Sequence, residues 1–309
     1  MTNKHEPVRA LELFCGIGGF AEAAGGRAHV VGAIDQSEIA LSVYRLNRLE
    51  TPAKGLNLET VSSAVLAEFK ADMWWLSPPC QPYTVRGKRR DLADPRAGSL
   101  RNLLGILPGI RPFSLGLENV EGFASSEARV LLVSVLEQCG YRFREIRVCP
   151  TELGIPNRRP RYYLFASLGD LADMDDRETG RRPLRDFLDD SPSPELLLSA
   201  RIAERFGRGL PKIDPDDPHA CATCFTSSYG KALMHSGSYL LHGDGLRRFS
   251  PDEVLRLHGF PAAFRWPPEL GLRKRWHLAG NSVSVHALRK ILAILPAFRP
   301  AFRNFTETV

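Results

Sequence analysis

Short apolar runs alternate with stretches of helical spacing from Val8 to about Leu168, and this alternation narrows the possible folds more than any other feature of the chain. Residues 8–13, 30–34, 73–76, 115–117, 145–149 and 162–166 read as strands. Between them, a small-residue helix is expected over about 20–24. A second runs over 37–47, with Ile39, Val43 and Leu46 on one face and Ser37 as its N-cap. A third, containing 103–107, is expected to stop at Pro108-Gly109, and a fourth, over 130–136, ends before Gly140. Strands and helices in this order pack as a mostly parallel, doubly wound α/β sheet covered on both faces. Such sheets bind ligands beyond the carboxyl ends of their strands, so the residues leaving each strand are where chemistry is to be sought.

Near Gly169 the texture changes. As far as about Gly245 the chain is rich in Asp, Pro, Arg, Ser and Gly, as in Asp214-Pro215-Asp216-Asp217-Pro218, and periodicity is weak. Leu196-Leu197-Leu198 and Tyr239-Leu240-Leu241 still offer core, so this segment reads as a smaller, irregular lobe. Helix returns at Ser250-Pro251-Asp252-Glu253, a capping serine with proline at the first helical position. A last helix is expected over 285–295. The main domain is therefore 1–168 plus 247–309, and the lobe is 169–246.

The strand exits carry unusual residues. Ser77-Pro78-Pro79-Cys80-Gln81-Pro82-Tyr83 follows the run 73–76 and holds a thiol on a stiff loop, where it is a candidate nucleophile. Phe14-Cys15-Gly16-Ile17-Gly18-Gly19 leaves the first strand and opens a helix, so a ligand can approach its backbone. Asp35 ends the second strand, where an acid accepts the ribose hydroxyls of an adenosine-type ligand. The glycine spacing departs from the dinucleotide fingerprint and no phosphate-cradling lysine follows, which favours a nucleoside without a pyrophosphate. Glu118 ends another strand, placed by the sheet near Cys80. Arg86, Lys88, Arg89 and Arg96, with Tyr83 among them, suggest a phosphate-contacting loop, and Arg158, Arg159 and Arg161 lie farther on.

The totals set limits. The 309-residue chain carries a net charge of +6, which permits a polyanionic partner without requiring one. No apolar run approaches the roughly 18 residues of a membrane span, and the polar start lacks a signal-peptide core, so a cytoplasmic protein with no membrane partner is expected. Six scattered cysteines form no disulfide framework. Cys221-x-x-Cys224 with His219 is a single pair without a second ligand cluster, and no metal is expected. Cys15 and Cys139 are expected in the core.

In their order and spelling these pieces resemble the cytosine-5 methyltransferases. Phe14 to Gly19 looks like that family's motif for S-adenosylmethionine, Pro78-Pro79-Cys80-Gln81 like its nucleophile motif, and Glu118-Asn119-Val120 like its acidic motif. Arg159-Pro160-Arg161 looks like its paired arginines, although Pro160 between them departs from the pattern. Phe249-Ser250 to Gly259-Phe260-Pro261 and Gly280-Asn281-Ser282-Val283 look like its last two motifs. Leu153-Gly154-Ile155-Pro156-Asn157 and Cys224-Phe225-Thr226 resemble the branch that methylates the anticodon loop of transfer RNA.

The resemblance implies an S-adenosylmethionine-dependent methyltransferase fold with a target-recognition lobe. It implies catalysis by Cys80, Glu118, Arg159 and Arg161. Cys80 would add to carbon 6 of a cytosine, Glu118 would hold its N3 edge, and the arginines would hold its carbonyl oxygen and a phosphate while helping to keep Cys80 ionised. Phe14, Gly16, Ile17, Gly18, Gly19, Asp35, Gln36, Asn57, Leu58, Ser77, Asn281 and Ser282 make up the expected cofactor site. Arg86, Lys88, Arg89, Arg96, Cys224, Phe225 and Thr226 make up the expected nucleic-acid contacts. The implied partner is tRNA, bound by a monomer. A DNA cytosine-5 methyltransferase and a catalytically silent nucleic-acid-binding relative are the competing readings; the Cys-Phe-Thr element argues against the first, and the intact Cys80, Glu118, Arg159 and Arg161 against the second.

Overall fold

The structure is a computed structural model and describes residues 7–83, 90–174 and 180–298. Seven strands form the main sheet: β1 (Val8–Leu13), β2 (Ala28–Asp35), β3 (Ala53–Gly55), β4 (Met73–Leu76), β5 (Ser114–Val120), β6 (Arg142–Val148) and β7 (Arg161–Ser167). Their order is β3-β2-β1-β4-β5-β7-β6. Strands β1 to β5 run parallel, and β7 is antiparallel to both β5 and β6. The order reverses at β1, which has β2 on one side and β4 on the other. This reversal opens a crevice at the carboxyl ends of β1 and β4.

The two-residue period of the strands divides the core. Leu11, Leu13, Trp74 and Leu115 face a layer that includes α4 (Gly98–Ile110) and α5 (Glu127–Gln138), with α3 (Ser63–Ala67) beside them. Ala10 and Trp75 face the opposite layer, where α1 (Gly19–Ala24) and α2 (Glu38–Asn47) pack. Phe20 stacks on Trp75 there, with ring centroids 5.1 Å apart.

Beyond β7, a three-stranded sheet is built from β8 (Lys212–Ile213), β9 (Tyr239–His242) and β10 (Gly245–Arg248), preceded by α6 (Ala200–Phe206). Tyr239 of β9 and Tyr229 of the preceding turn belong to the same buried cluster as Val254 and Leu288 of the later helices. Strand β10 spans the point at 246/247 where the sequence places its domain boundary. The chain then forms α7 (Pro251–His258), α8 (Leu272–Asn281) and α9 (Val285–Ile291), and α9 packs back against α1. Helix α7 starts in a full capping box: Ser250 Oγ accepts from the Glu253 amide at 3.0 Å, and the Glu253 carboxylate accepts from the Ser250 amide at 2.7 Å.

Three local expectations need correction. Ser37 does cap α2, accepting from the Ala40 amide at 3.2 Å, but Ile39 is 41% exposed and the buried face is Ala40, Leu41, Val43 and Tyr44. Helix α4 continues through Pro108 to Ile110. Proline removes one hydrogen bond there, but buried Leu100, Leu103, Leu104 and Leu107 hold the helix to the sheet, and it ends only where Arg111 turns left-handed at φ +49°. The last helix gives way after Ile291 to a 3₁₀ turn over Leu292–Ile294.

Candidate active site

The crevice at the ends of β1 and β4 is a cavity of about 540 Å³. That is a common size for a pocket that encloses a cofactor and part of a substrate. One half is built on the glycine loop. Gly16 adopts φ +52°, and a Cβ at that position would stand in open space. Gly18 caps α1 at φ +91°, where a side chain would press on the Tyr44 ring. A Cβ on Gly19 would lie 2.4 Å from Val283, so the loop and the segment after α8 touch backbone to side chain. Asp35 fixes the loop: its Oδ2 accepts from the Gly16 amide at 2.9 Å and its Oδ1 from the Ser37 amide at 2.8 Å. Each oxygen keeps a lone pair for a hydroxyl ligand.

Phe14, Gly16, Ile17, Gly19, Asp35, Gln36, Ser77, Asn281 and Ser282 all line this cavity. Gly18, Asn57 and Leu58 do not. Asn57 acts behind the wall, its Oδ1 accepting from Gln36 Nε2 at 2.9 Å. Leu58 is wholly buried in the core, while its neighbour Glu59 reaches the cavity instead. Glu12, Ser99, His277 and Val283 are wall residues that the sequence reading missed. His277 and Asn281 stand one helical turn apart on α8, a spacing that was readable once α8 was known to be a helix. An S-adenosyl ligand suits these residues: open glycine backbone, a carboxylate with free lone pairs, and apolar Phe14 and Ile17 beside them.

The other half carries Cys80. Its loop is held from below by β5 and by the turn at the end of that strand. Asn119 Nδ2 donates to the Pro78 carbonyl at 3.2 Å. Tyr83 is buried edge-on against Phe123 at 4.9 Å, and Gly122 is glycine because a Cβ there would lie 2.2 Å from the Tyr83 carbonyl oxygen. Leu76 pairs with Leu117 across β4 and β5, so Glu118 and Cys80 emerge side by side and both reach the cavity.

Glu118 is buried, and its Oε1 meets Arg161 Nε at 3.2 Å. Burial nevertheless raises its carboxyl above the usual range, outweighing Arg161 and Arg159. The Cys80 thiol is also pushed up, by burial first and by Glu118, against Arg161 and Arg159, which pull it down. The arginines therefore ease ionisation of Cys80 without achieving it in the free protein. Their pull has the direction expected of them, and burial outweighs it.

The two arginines do different work. Arg159 is 3% exposed, and its terminal nitrogens are committed to the protein: Nη1 to the Phe225 carbonyl at 2.9 Å and Cys224 Sγ at 3.2 Å, Nη2 to the carbonyls of Ser282 at 2.6 Å and Gly280 at 3.2 Å. Only its Nε lacks a partner. Arg159 thus ties the 224–225 segment to the 280–282 segment. The two also touch directly, since a Cβ on Gly280 would lie 2.3 Å from the Thr226 carbonyl oxygen. Arg161 orients Glu118, and the Pro160 carbonyl accepts from its Nη1 at 2.8 Å.

The expected nucleic-acid contacts are dispersed. Phe225 is fully buried against Tyr229 and Phe249, so its ring belongs to the core and offers no stacking face. Cys224 lies against both arginines, whose charge lowers its thiol despite burial. Thr226 packs on α8 through its backbone. Arg96 lines the cavity mouth while its Nε and Nη2 hold Asp94 at 2.8 and 2.7 Å. Arg86, Lys88 and Arg89 lie outside the described residues. Cys15 and Cys139 are buried, as expected.

With the geometry in place, comparison with known proteins is informative. The pattern of the family described as "C-5 cytosine-specific DNA methylase" matches residues 8–187 and 226–295. A protein of Rattus norvegicus described as "tRNA (cytosine(38)-C(5))-methyltransferase" is 30% identical, covering 94% of this chain and 99% of the relative. A Schizosaccharomyces pombe protein of the same description is also 30% identical, covering 93% and 96%. Among solved structures, the Entamoeba histolytica methyltransferase EhMeth superposes with a TM-score of 0.86 at 27% identity, covering 94% of this chain and 98% of that one.

Proposed function

The chain belongs to the C-5 cytosine-specific DNA methylase family, and from that premise we propose that it transfers a methyl group from S-adenosylmethionine to carbon 5 of a cytosine in tRNA, at position 38 of the anticodon loop. The observation that carries the chemistry is the Glu118–Arg161 pair on the strand end beside the Cys80 loop. The tRNA substrate is supported by the description of relatives matched over nearly the whole chain. The reading is of a monomer working in the cytoplasm. Among the described residues no helix is long and apolar enough to cross a membrane.

Carbon 5 of cytosine is a weak nucleophile, and the residues present answer that difficulty. Cys80 loses its proton and adds sulfur to carbon 6, so the ring's electron pair shifts toward N3 and the carbonyl. Glu118, held by Arg161, gives its proton or a hydrogen bond to N3 and offsets the charge gathering there. The family implies S-adenosylmethionine, which supplies a methyl group on positive sulfur for carbon 5 to attack. Loss of the carbon-5 proton then returns the electron pair and expels Cys80. Arg159 keeps the substrate-side and cofactor-side segments in one register. The target base has to leave its stack, which takes a few kcal/mol for a paired base and less in a loop.

The family description also names DNA, so duplex DNA is the second substrate to test. Incubation with labelled cofactor and either total tRNA or duplex DNA of matched cytosine content is expected to label tRNA. Label confined to DNA would overturn the substrate, and label in neither would favour a silent binding relative.

A further inference from the structure

Glu12 lies on β1 just before the glycine loop. It is 2% exposed, yet it is one of the residues that line the cavity. Its Oε1 accepts from the Phe20 amide at 3.1 Å and its Oε2 from the Tyr44 hydroxyl at 3.0 Å. Both donors are neutral. The cation acting on it, Arg48 just beyond α2, is itself bonded to Glu22. The Cys15 thiol and Asp35, whose charged forms are both negative, lie on the same side, with Arg45 acting on Cys15 from α2. A carboxyl buried in this way, with no ion-pair partner, holds its proton far above the usual range. Burial pushes Glu12 up to about 8, against the opposing pull of Tyr44, the Phe20 amide and Arg48. The Tyr44 hydroxyl suits either state, since it can donate to the carboxylate or accept from the acid.

An unpaired buried carboxyl is poorly placed in a neutral cavity and well placed in one that receives a cation. The methyl donor carries a positive sulfur and its thioether product does not, so the two ligands differ by one charge inside this wall. We propose that Glu12 sets the preference between them: it releases its proton to solvent when the sulfonium cofactor fills the cavity and takes one up when the thioether product is left. The proposal rests on the cofactor reading above. The carboxylate attracts the donor, and the neutral acid forms again beside the product, so the preference for donor over product rises with pH.

Calorimetric titration with S-adenosylmethionine and with S-adenosylhomocysteine, in buffers of different ionisation enthalpy, counts the protons exchanged. Near pH 7 the sulfonium ligand is expected to release a larger fraction of a proton than the thioether. Between pH 6 and 8 the ratio of the two affinities is expected to move about three- to tenfold toward the donor. Glu12→Gln, nearly isosteric, should abolish the proton difference assigned to the wall and flatten the ratio. Tyr44→Phe keeps the carboxyl but removes a donor that favours its charge, so the pH of the change should move upward. Equal proton counts for the two ligands in the unaltered protein, or a difference that survives intact in Glu12→Gln, would overturn the proposal while leaving the cofactor assignment standing. Failure of both ligands to bind would remove both.

Discussion

Burial raises both the Cys80 thiol and the neighbouring Glu118 carboxyl above their usual values, against the downward pull of Arg161 and Arg159. In the reaction proposed above, Cys80 would have to lose a proton to add to the ring, and Glu118 would supply a proton or a hydrogen bond to the ring's nitrogen. Cys80→Ala is expected to abolish methyl transfer while leaving cofactor affinity within a few-fold, as read by single-turnover label incorporation beside calorimetry; retained transfer would mean another nucleophile. Glu118→Gln keeps a hydrogen-bond donor but no transferable proton, and kcat is expected to fall roughly 10²- to 10⁴-fold with RNA affinity little changed. Cys80, Glu118 and Asp35 were legible in sequence because each lies at or just past the end of an apolar strand, where sheet geometry dictates exposure to the crevice. The role of Arg159 was not, because it depends on contacts with residues more than sixty positions away, and the core place of the Phe225 ring was not, because it depends on packing against Tyr229 and Phe249.

Helix α7 shows how one element can depend on a single buried charge. The Glu253 carboxylate is completely buried and accepts from both terminal nitrogens of Arg247 at 2.8 Å, from the Ser250 amide at 2.7 Å and from the Asp189 amide at 2.9 Å. Strand β10, the start of α7 and the loop at Asp189 are thereby joined at one group. Arg247→Met, which leaves the carboxylate without its cation, is expected to reduce stability by about 3–5 kcal/mol. Urea unfolding measures this, and a loss below about 1 kcal/mol would mean that the amides alone suffice. The capping serine and the proline after it were readable in sequence because caps are local. The persistence of α4 through Pro108 was not, because it is decided by the leucines that bind the helix to the sheet rather than by the proline itself.

At the scale of the whole molecule, buried titratable groups tilt stability in opposite directions. His258 and His286 are held below the usual histidine value, by burial first, with Arg159 and Arg161 adding to the effect at His258. As pH falls below about 6.5 the unfolded chain takes up protons that these folded imidazoles refuse, so stability declines on the acid side. Glu12 acts the other way. Its carboxyl stays protonated in the folded state up to about 8, whereas the unfolded one ionises near 4.5, so its contribution is lost as pH rises between those values. Denaturant midpoints of the unaltered protein and Glu12→Gln should therefore diverge in favour of the variant between about pH 5 and 9. A gap independent of pH would mean that Glu12 is already charged. The doubly wound arrangement could be read from the alternation of strands and helices, whereas the sharing of one core by the irregular segment and the helices after it could not, because weak periodicity conceals long-range packing. The return of the chain to its own beginning has a further consequence. Val283 closes against Gly19, and α9 packs on α1. A polypeptide growing from its amino end therefore completes the strands long before the wall opposite the glycine loop exists. In order of synthesis, the cavity wall formed by residues 277–283 is therefore added last, after the sheet that carries the glycine loop.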